Sequence, residues 1–183
     1  HIKTGKKDVV LDLNLVAGDS PYFKLGHFDT SPNDEYVAYS EDRTGRGYYS
    51  LVLVNILTRE THRLADNLDP RFAWLGSKIV CSDSDSGEVW LIDKNSQHEV
   101  VFVEKNRGAS IEIHRASTGR PIIISNTIDS TEIHLVTDEA KAEIVREREP
   151  GHRYRIKFHE SKLFALSNLK TSDFDLAEIS LEK

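Results

Sequence analysis

Short apolar runs recur along the chain, each broken by a polar turn. Lys78-Ile79-Val80-Cys81 runs into Ser82, a polar stretch from Asp83 to Gly87 follows, and Val89-Trp90-Leu91-Ile92 returns. Two β-rich runs joined by turn residues predict a β-hairpin. The unit repeats. Tyr36-Val37-Ala38-Tyr39 runs into Ser40 and Leu51 to Val54 returns; Pro121 to Ile124 runs into Ser125 and Ile133 to Val136 returns; Leu163 to Leu166 runs into Ser167 and Phe174 to Ala177 returns. Ser40, Ser82, Ser125 and Ser167 stand 42, 43 and 42 residues apart. A period in the low forties with several short strands per repeat is the mark of a β-propeller blade. One small sheet cannot bury both of its faces, and stacking against neighbouring blades supplies the missing burial. The competing architecture is a β-sandwich, whose strands also recur at short spacing.

The pattern predicts an all-β protein, a β-propeller fragment of about four blades of four-stranded antiparallel sheets, the last blade incomplete. The blades fall roughly at 23–66, 71–104, 109–147 and 152–183. Residues 1–7 are basic and polar, and read as a flexible or appended lead-in. Asp8 to Val16 has mixed apolar positions and reads either as a strand or as a short helical segment. The fourth blade shows three strands, Arg153–Phe158, Lys162–Ser167 and Phe174–Leu181, with no outer one. The chain is therefore expected to be a piece of a larger propeller, with sheet faces open at both ends and self-association of the open arc as one way to cover them.

Composition narrows the function. The 183 residues carry a net charge of −6 and a sequence pI of about 5.8, which argues against a nucleic-acid partner. No apolar run reaches the length of a membrane span, so no membrane partner is expected, and no signal-peptide core stands at the start. The one cysteine, Cys81, sits mid-strand and reads as a small core residue; a lone thiol suits a reducing, cytoplasmic setting.

The chain offers little chemistry of its own. The nucleophile elbow Gly-x-Ser-x-Gly is absent, so no serine is presented beside oxyanion donors. The eight histidines are scattered singly, and His134, alternating with Ile133 and Leu135, reads as a packed or surface residue. No zinc motif occurs. Asp83-x-Asp85 hints at a calcium loop, but Gly87 falls one position early and Lys94 stands where a bidentate Glu is needed. Asp85-x-Gly87-x-x-Trp90 resembles the Asp-box hairpin of sialidase-type propellers, a turn-shaping device. Gly45-Arg46-Gly47 lacks the strand-to-helix context of a phosphate loop. The run Arg146-Glu147-Arg148-Glu149 reads as a solvated edge strand, with a domain or subunit contact as the alternative. Arg43, Arg46, Tyr48 and Tyr49 are the best candidates for a surface facing a partner domain. No catalytic, cofactor-binding or metal-binding residue is assigned, and no cofactor is expected.

Several stretches together carry a family resemblance: Val9 to Asn14, Tyr22 to Phe28, Ser31-Pro32-Asn33-Asp34 and Tyr36 to Asp42. They resemble the N-terminal propeller of the prolyl oligopeptidase family, and more closely its oligopeptidase B branch, also called protease II. The run from Ser167 to Leu176 resembles the same family. Two features depart from the pattern: Glu35 stands where the Ser-Pro-Asp-x-Gly turn has its glycine, and the loop Ser82 to Gly87 lacks a long aromatic insertion. The resemblance implies a serine peptidase whose α/β-hydrolase domain is capped by a seven-bladed propeller. It implies cleavage of short peptides after Arg or Lys, with the propeller excluding folded proteins. The catalytic serine, aspartate and histidine would then lie on a C-terminal hydrolase domain, the expected partner of this chain, with peptides as the parent's substrates. Two alternatives stand beside it: a scaffold propeller that binds proteins and has no hydrolase attached, and a sialidase-like glycosidase propeller.

Overall fold

A computed structural model describes residues 9–116, 118–159, 162–168 and 175–179. The lead-in 1–7 and the ends of the last expected strand, Phe174 and residues 180–181, lie outside the described residues.

The ambiguous first segment contains a short helix, α1 (Leu13–Ala17). Asp12 decides this locally. Its carboxylate accepts the backbone N–H groups of Asn14 at 2.9 Å and Leu15 at 3.4 Å, satisfying donors that a helix start leaves open. The remaining structure is antiparallel sheet. Strands β1 (Lys24–Thr30), β2 (Tyr36–Asp42), β3 (Tyr49–Asn55), β4 (Thr61–Leu75), β5 (Lys78–Asp83), β6 (Glu88–Ile92) and β7 (His98–Val103) pair in chain order as one seven-stranded sheet. Strands β8 (Ser110–Arg115), β9 (Pro121–Asn126), β10 (Thr131–Val136) and β11 (Ala142–Arg146) form a four-stranded sheet; β12 (Tyr154–His159), β13 (Lys162–Ser167) and β14 (Asp175–Ile179) form a three-stranded one.

The first two blades differ from the sequence expectation at their boundary. The sequence places a break at residues 67–70, between an outer strand and the next inner one. Instead β4 runs through 15 residues and serves both blades. Its first half pairs with β3, from Thr61 opposite Val54 to Leu68 opposite Tyr49; its second half pairs with β5, from Phe72 opposite Cys81 to Leu75 opposite Lys78. The swivel is at Asn67, whose φ of 59° lies in the left-handed region that Asn tolerates better than most residues.

Strand alternation divides each blade between two neighbours. Ile79 and Cys81 face the first blade, in a core with Ala38, Leu51, Leu53, Phe72 and Trp74. Val80 points the other way, to a core with Val89, Leu91, Ile113, Ile123 and Val136. The third blade repeats the split: Ile123 joins that second core, while Ile122, Ile124 and Ile133 pack towards Tyr154 and Ala165 of the fourth blade. Each fully buried aliphatic side chain contributes roughly 1.5–3 kcal/mol to this stacking. Cys81 is buried in the first of these cores, and burial pushes its thiol up to about 12, so it is a packing residue. The free face of the first blade is not bare. Leu11 and Val16, from the segment around α1, pack with Leu25 over Tyr39, Val52 and Val54.

Candidate functional site

The four periodic serines are all buried. Each stands within the last three residues of the second strand of its blade. Ser40 Oγ donates to the carbonyl of Pro70 at 2.6 Å and accepts the His27 backbone N–H at 2.9 Å. Pro70 lies on β4 just beyond its swivel, so this hydroxyl ties the first blade to the second. Ser82 Oγ donates to Asp69 Oδ2 at 2.8 Å, and Ser84 Oγ reaches Asp69 Oδ1 at 3.2 Å. Ser125 Oγ donates to Glu104, on the crossing from the second blade to the third. Arg148, on the crossing from the third to the fourth, donates to Ser125 Oγ at 2.6 Å and to Glu104 Oε2 at 2.9 Å. At Ser40, Ser82 and Ser125 the repeat that marks the sequence thus ties the blades to the chain crossing between them. Buried hydroxyls need partners, and the crossing chains provide them.

These staples hold the first strands of the blades side by side. β1 touches the second half of β4, and β4 touches β8. His27 of β1 meets the Phe72 ring edge-on at 5.0 Å. Burial lowers the His27 pKa, with Arg71 and His114 adding to the effect against Asp29. Asp29 pairs with Arg115 of β8 at 3.4 Å, reaching past the second blade. Glu112 accepts from Asn126 at 3.2 Å and pairs with His114 at 3.1 Å; the His114 contact holds its carboxyl below the usual range, against the opposing effect of burial. Phe28 stands 62% exposed in the same row. Between the third and fourth blades, Arg153 and Arg155 join Glu112 and His114 around a cleft of about 660 Å³. The row is charged, mixed in sign, and suited to contacting polypeptide. Among the described residues no group of three or more His, Cys, Asp or Glu is placed to hold a metal. No helix among them is long and apolar enough to cross a membrane.

The residues singled out in the sequence separate. Arg43 is turned inward: Nε bonds Glu41 Oε1 at 2.8 Å, Nη2 bonds the Val16 carbonyl at 2.6 Å, and the guanidinium lies 5.4 Å from the Phe23 ring centroid. Its role is to hold the end of α1 on the first blade. Tyr49 is buried, leaving Arg46 and Tyr48 as the exposed members of that set. The loop itself is shaped by Asp42. Burial pushes its carboxyl up, but hydrogen bonds from the N–H groups of Thr44, Gly47 and Gly45 and from the Thr44 hydroxyl outweigh this and bring it down to about 2. The run 146–149 also divides: Arg146 is exposed at the end of β11, whereas Arg148 enters the staple with Glu104 and Ser125. In the hairpin after β5 the turn-shaping carboxylate is Asp83, which accepts from the N–H groups of Asp85 and Ser86. Gly87 there has φ 72° and sits against the Glu104 carbonyl, 3.2 Å from where a Cβ would be. Trp90 stacks on His98 at 4.4 Å, and its indole donates to Glu88. His134 is buried against Phe102 and Glu132, a packing position. Asp69 and Glu104 carry no signal in the sequence, because the crossings that hold them do not keep the period of the serines.

Comparison with known proteins agrees with this architecture. The family model described as the prolyl oligopeptidase, N-terminal beta-propeller domain matches residues 1–183. The chain belongs to the prolyl oligopeptidase family. Protease 2 of Moraxella lacunata is 24% identical over 199 residues, covering 98% of this chain and 28% of that protein. This similarity places the propeller close to the oligopeptidase B branch. Dipeptidyl aminopeptidase BI of Pseudoxanthomonas mexicana is 25% identical over 138 residues, covering 68% of this chain and 18% of the relative. The chain therefore spans less than a third of the length of these curated relatives. Among solved structures, one from a study of two prolyl endopeptidases superposes with a TM-score of 0.73 at 17% identity, covering 98% of this chain and 28% of that one. Prolyl oligopeptidase B from Galerina marginata, bound to a 35mer substrate, gives 0.65 at 15% identity, covering 94% of this chain and 29% of that one. At these identities the superpositions speak for the fold.

Proposed function

We propose that this chain is the non-catalytic propeller segment of an oligopeptidase B-like serine peptidase. It restricts entry to the active site so that short peptides are cut, after Arg or Lys, and folded proteins are spared. The observation that carries the reading is the match of all 183 residues to the family's N-terminal propeller. It is supported by the lack of a Gly-x-Ser-x-Gly elbow in the chain, which leaves nucleophilic chemistry to an α/β-hydrolase domain C-terminal to it. The stapled arc supports it further. A filter must hold its blades together, and buried hydroxyl and charge contacts at the crossings supply directional ties that apolar stacking alone does not. The reading includes a cytoplasmic setting, for which the single buried thiol is the support. The test is an assay with an Arg-linked fluorogenic peptide. The 183-residue chain is expected to give no turnover, while a polypeptide that continues into the hydrolase domain turns the peptide over. Turnover by the chain alone that survives repurification would overturn the assignment, as would an inactive longer polypeptide.

A further inference from the structure

The seams inside the arc are sheet against sheet. Leu51 and Leu53 share a core with Trp74 and Ile79, Val80 with Ile113 and Ile123, and Ile122 and Ile124 with Tyr154 and Ala165. The other side of the first blade is built differently. Tyr39, Val52 and Val54 alternate with the residues of the first core and point away from it. They are already buried, beneath Leu11 and Val16 of the segment around α1. A blade adjoining this side would therefore meet the segment and not those side chains. The outer side of the segment is apolar as well: Leu15 is 80% exposed, Val9 71% and Leu13 37%.

Both ends of α1 are held in place. Asp12 caps its start. At its end the Arg43 guanidinium donates to the Val16 carbonyl at 2.6 Å and to the Ala17 carbonyl at 3.4 Å, while the buried Glu41 grips the same guanidinium. Single exposed apolar residues are ordinary on a protein surface. Three on one short, pre-ordered stretch form a surface whose burial costs little further ordering. We propose that the α1 segment is a wedge in the seam that closes the propeller, with Leu15, Leu13 and Val9 packed against the adjoining blade. A further blade is the occupant because both sides of the second and third blades are covered by neighbouring blades. The chain spans less than a third of its curated relatives, which leaves length for such a blade. The inference rests on the peptidase reading, since the closed propeller belongs to the whole peptidase.

The test reads the exposure of Leu15 directly. Leu15→Cys is made in the 183-residue chain and in the whole peptidase, and the rate of alkylation by iodoacetamide is measured. Cys81 is buried and adds little background. Leu57→Cys, on the turn after β3 and 89% exposed, is the control. The Leu15→Cys thiol is expected to react freely in the chain and about tenfold more slowly in the whole peptidase, while the control stays fast in both. The photo-cross-linking residue p-benzoylphenylalanine, placed in the whole peptidase instead of Leu15, then identifies the neighbour. On irradiation it is expected to join a propeller strand outside residues 9–179. Equal Leu15→Cys rates in the two proteins, or a cross-link to the hydrolase domain, would overturn the wedge. The rates are read whether or not the peptidase is active. Turnover of the Arg-linked peptide with a freely reacting Leu15→Cys thiol refutes the wedge alone, and a protected thiol without turnover refutes the peptidase reading alone.

Discussion

Gly26 shows how one small residue sets the approach of a strand. A Cβ built there would lie 2.5 Å from Ser40 Oγ and 2.7 Å from the Tyr49 ring, both buried groups. Neither has room to retreat: Ser40 is tied to Pro70, and Tyr49 is buried at the start of β3. Gly26→Ala is expected to destabilise the chain by about 1–3 kcal/mol, read as a lower urea midpoint with an unchanged slope. Asp42 carries a pH dependence of definite sign. Its folded pKa of about 2 lies below the reference of 3.8, so its contribution to stability is present above pH 4 and is lost as pH falls from about 4 to about 2. Asp42→Asn is expected to be the less stable form at neutral pH, since an amide nitrogen cannot accept the Gly47 N–H. The gap in melting temperature between the two proteins should close across that acid window. A gap that stays constant down to pH 2 would show that the Asp42 carboxylate is not the acceptor holding the loop.

At the scale of elements, what the sequence disclosed follows from how far each physical signal extends. Strand alternation and hairpin turns act over a few residues, so β13 has the ends the pattern predicts. The serine period was legible as well, because each blade repeats the same buried position. The continuity of β4 was not. Asp66, Asn67, Asp69 and Pro70 are turn-forming types, and Pro cannot donate to a ladder. Here the neighbouring blade overrides that preference: Asn67 swivels the strand, its carbonyl accepts the Ser84 N–H at 2.8 Å, and the Pro70 carbonyl takes the Ser40 hydroxyl. The Glu104–Ser125–Arg148 staple was hidden for a related reason, since Glu104 and Arg148 are 44 residues apart and meet only once the blades stack. Arg148→Ala leaves a mostly buried carboxylate with the serine as its remaining partner, and is expected to cost about 2–4 kcal/mol. Removing Glu104 as well should cost less than the sum of the single changes, because the pair acts as a unit. Strict additivity in urea titrations would show that the two groups are energetically independent.

The whole molecule is an arc of stacked sheets in which each blade shares its core with its neighbours. The row of first strands presents mixed charge and an exposed Phe28, and the staples lie at the crossings that fix the distances between those strands. If the chain filters substrates in a longer peptidase, the filter depends on the seams. The direct measurement is the ratio of kcat/KM for a short Arg-containing peptide to kcat/KM for the same sequence displayed on a folded protein, taken with the polypeptide that continues into the hydrolase domain. The expected result is efficient cleavage of the peptide and a much lower value for the folded substrate, with the difference narrowing in Arg148→Ala. Similar values for both substrates in the unaltered protein would contradict the account.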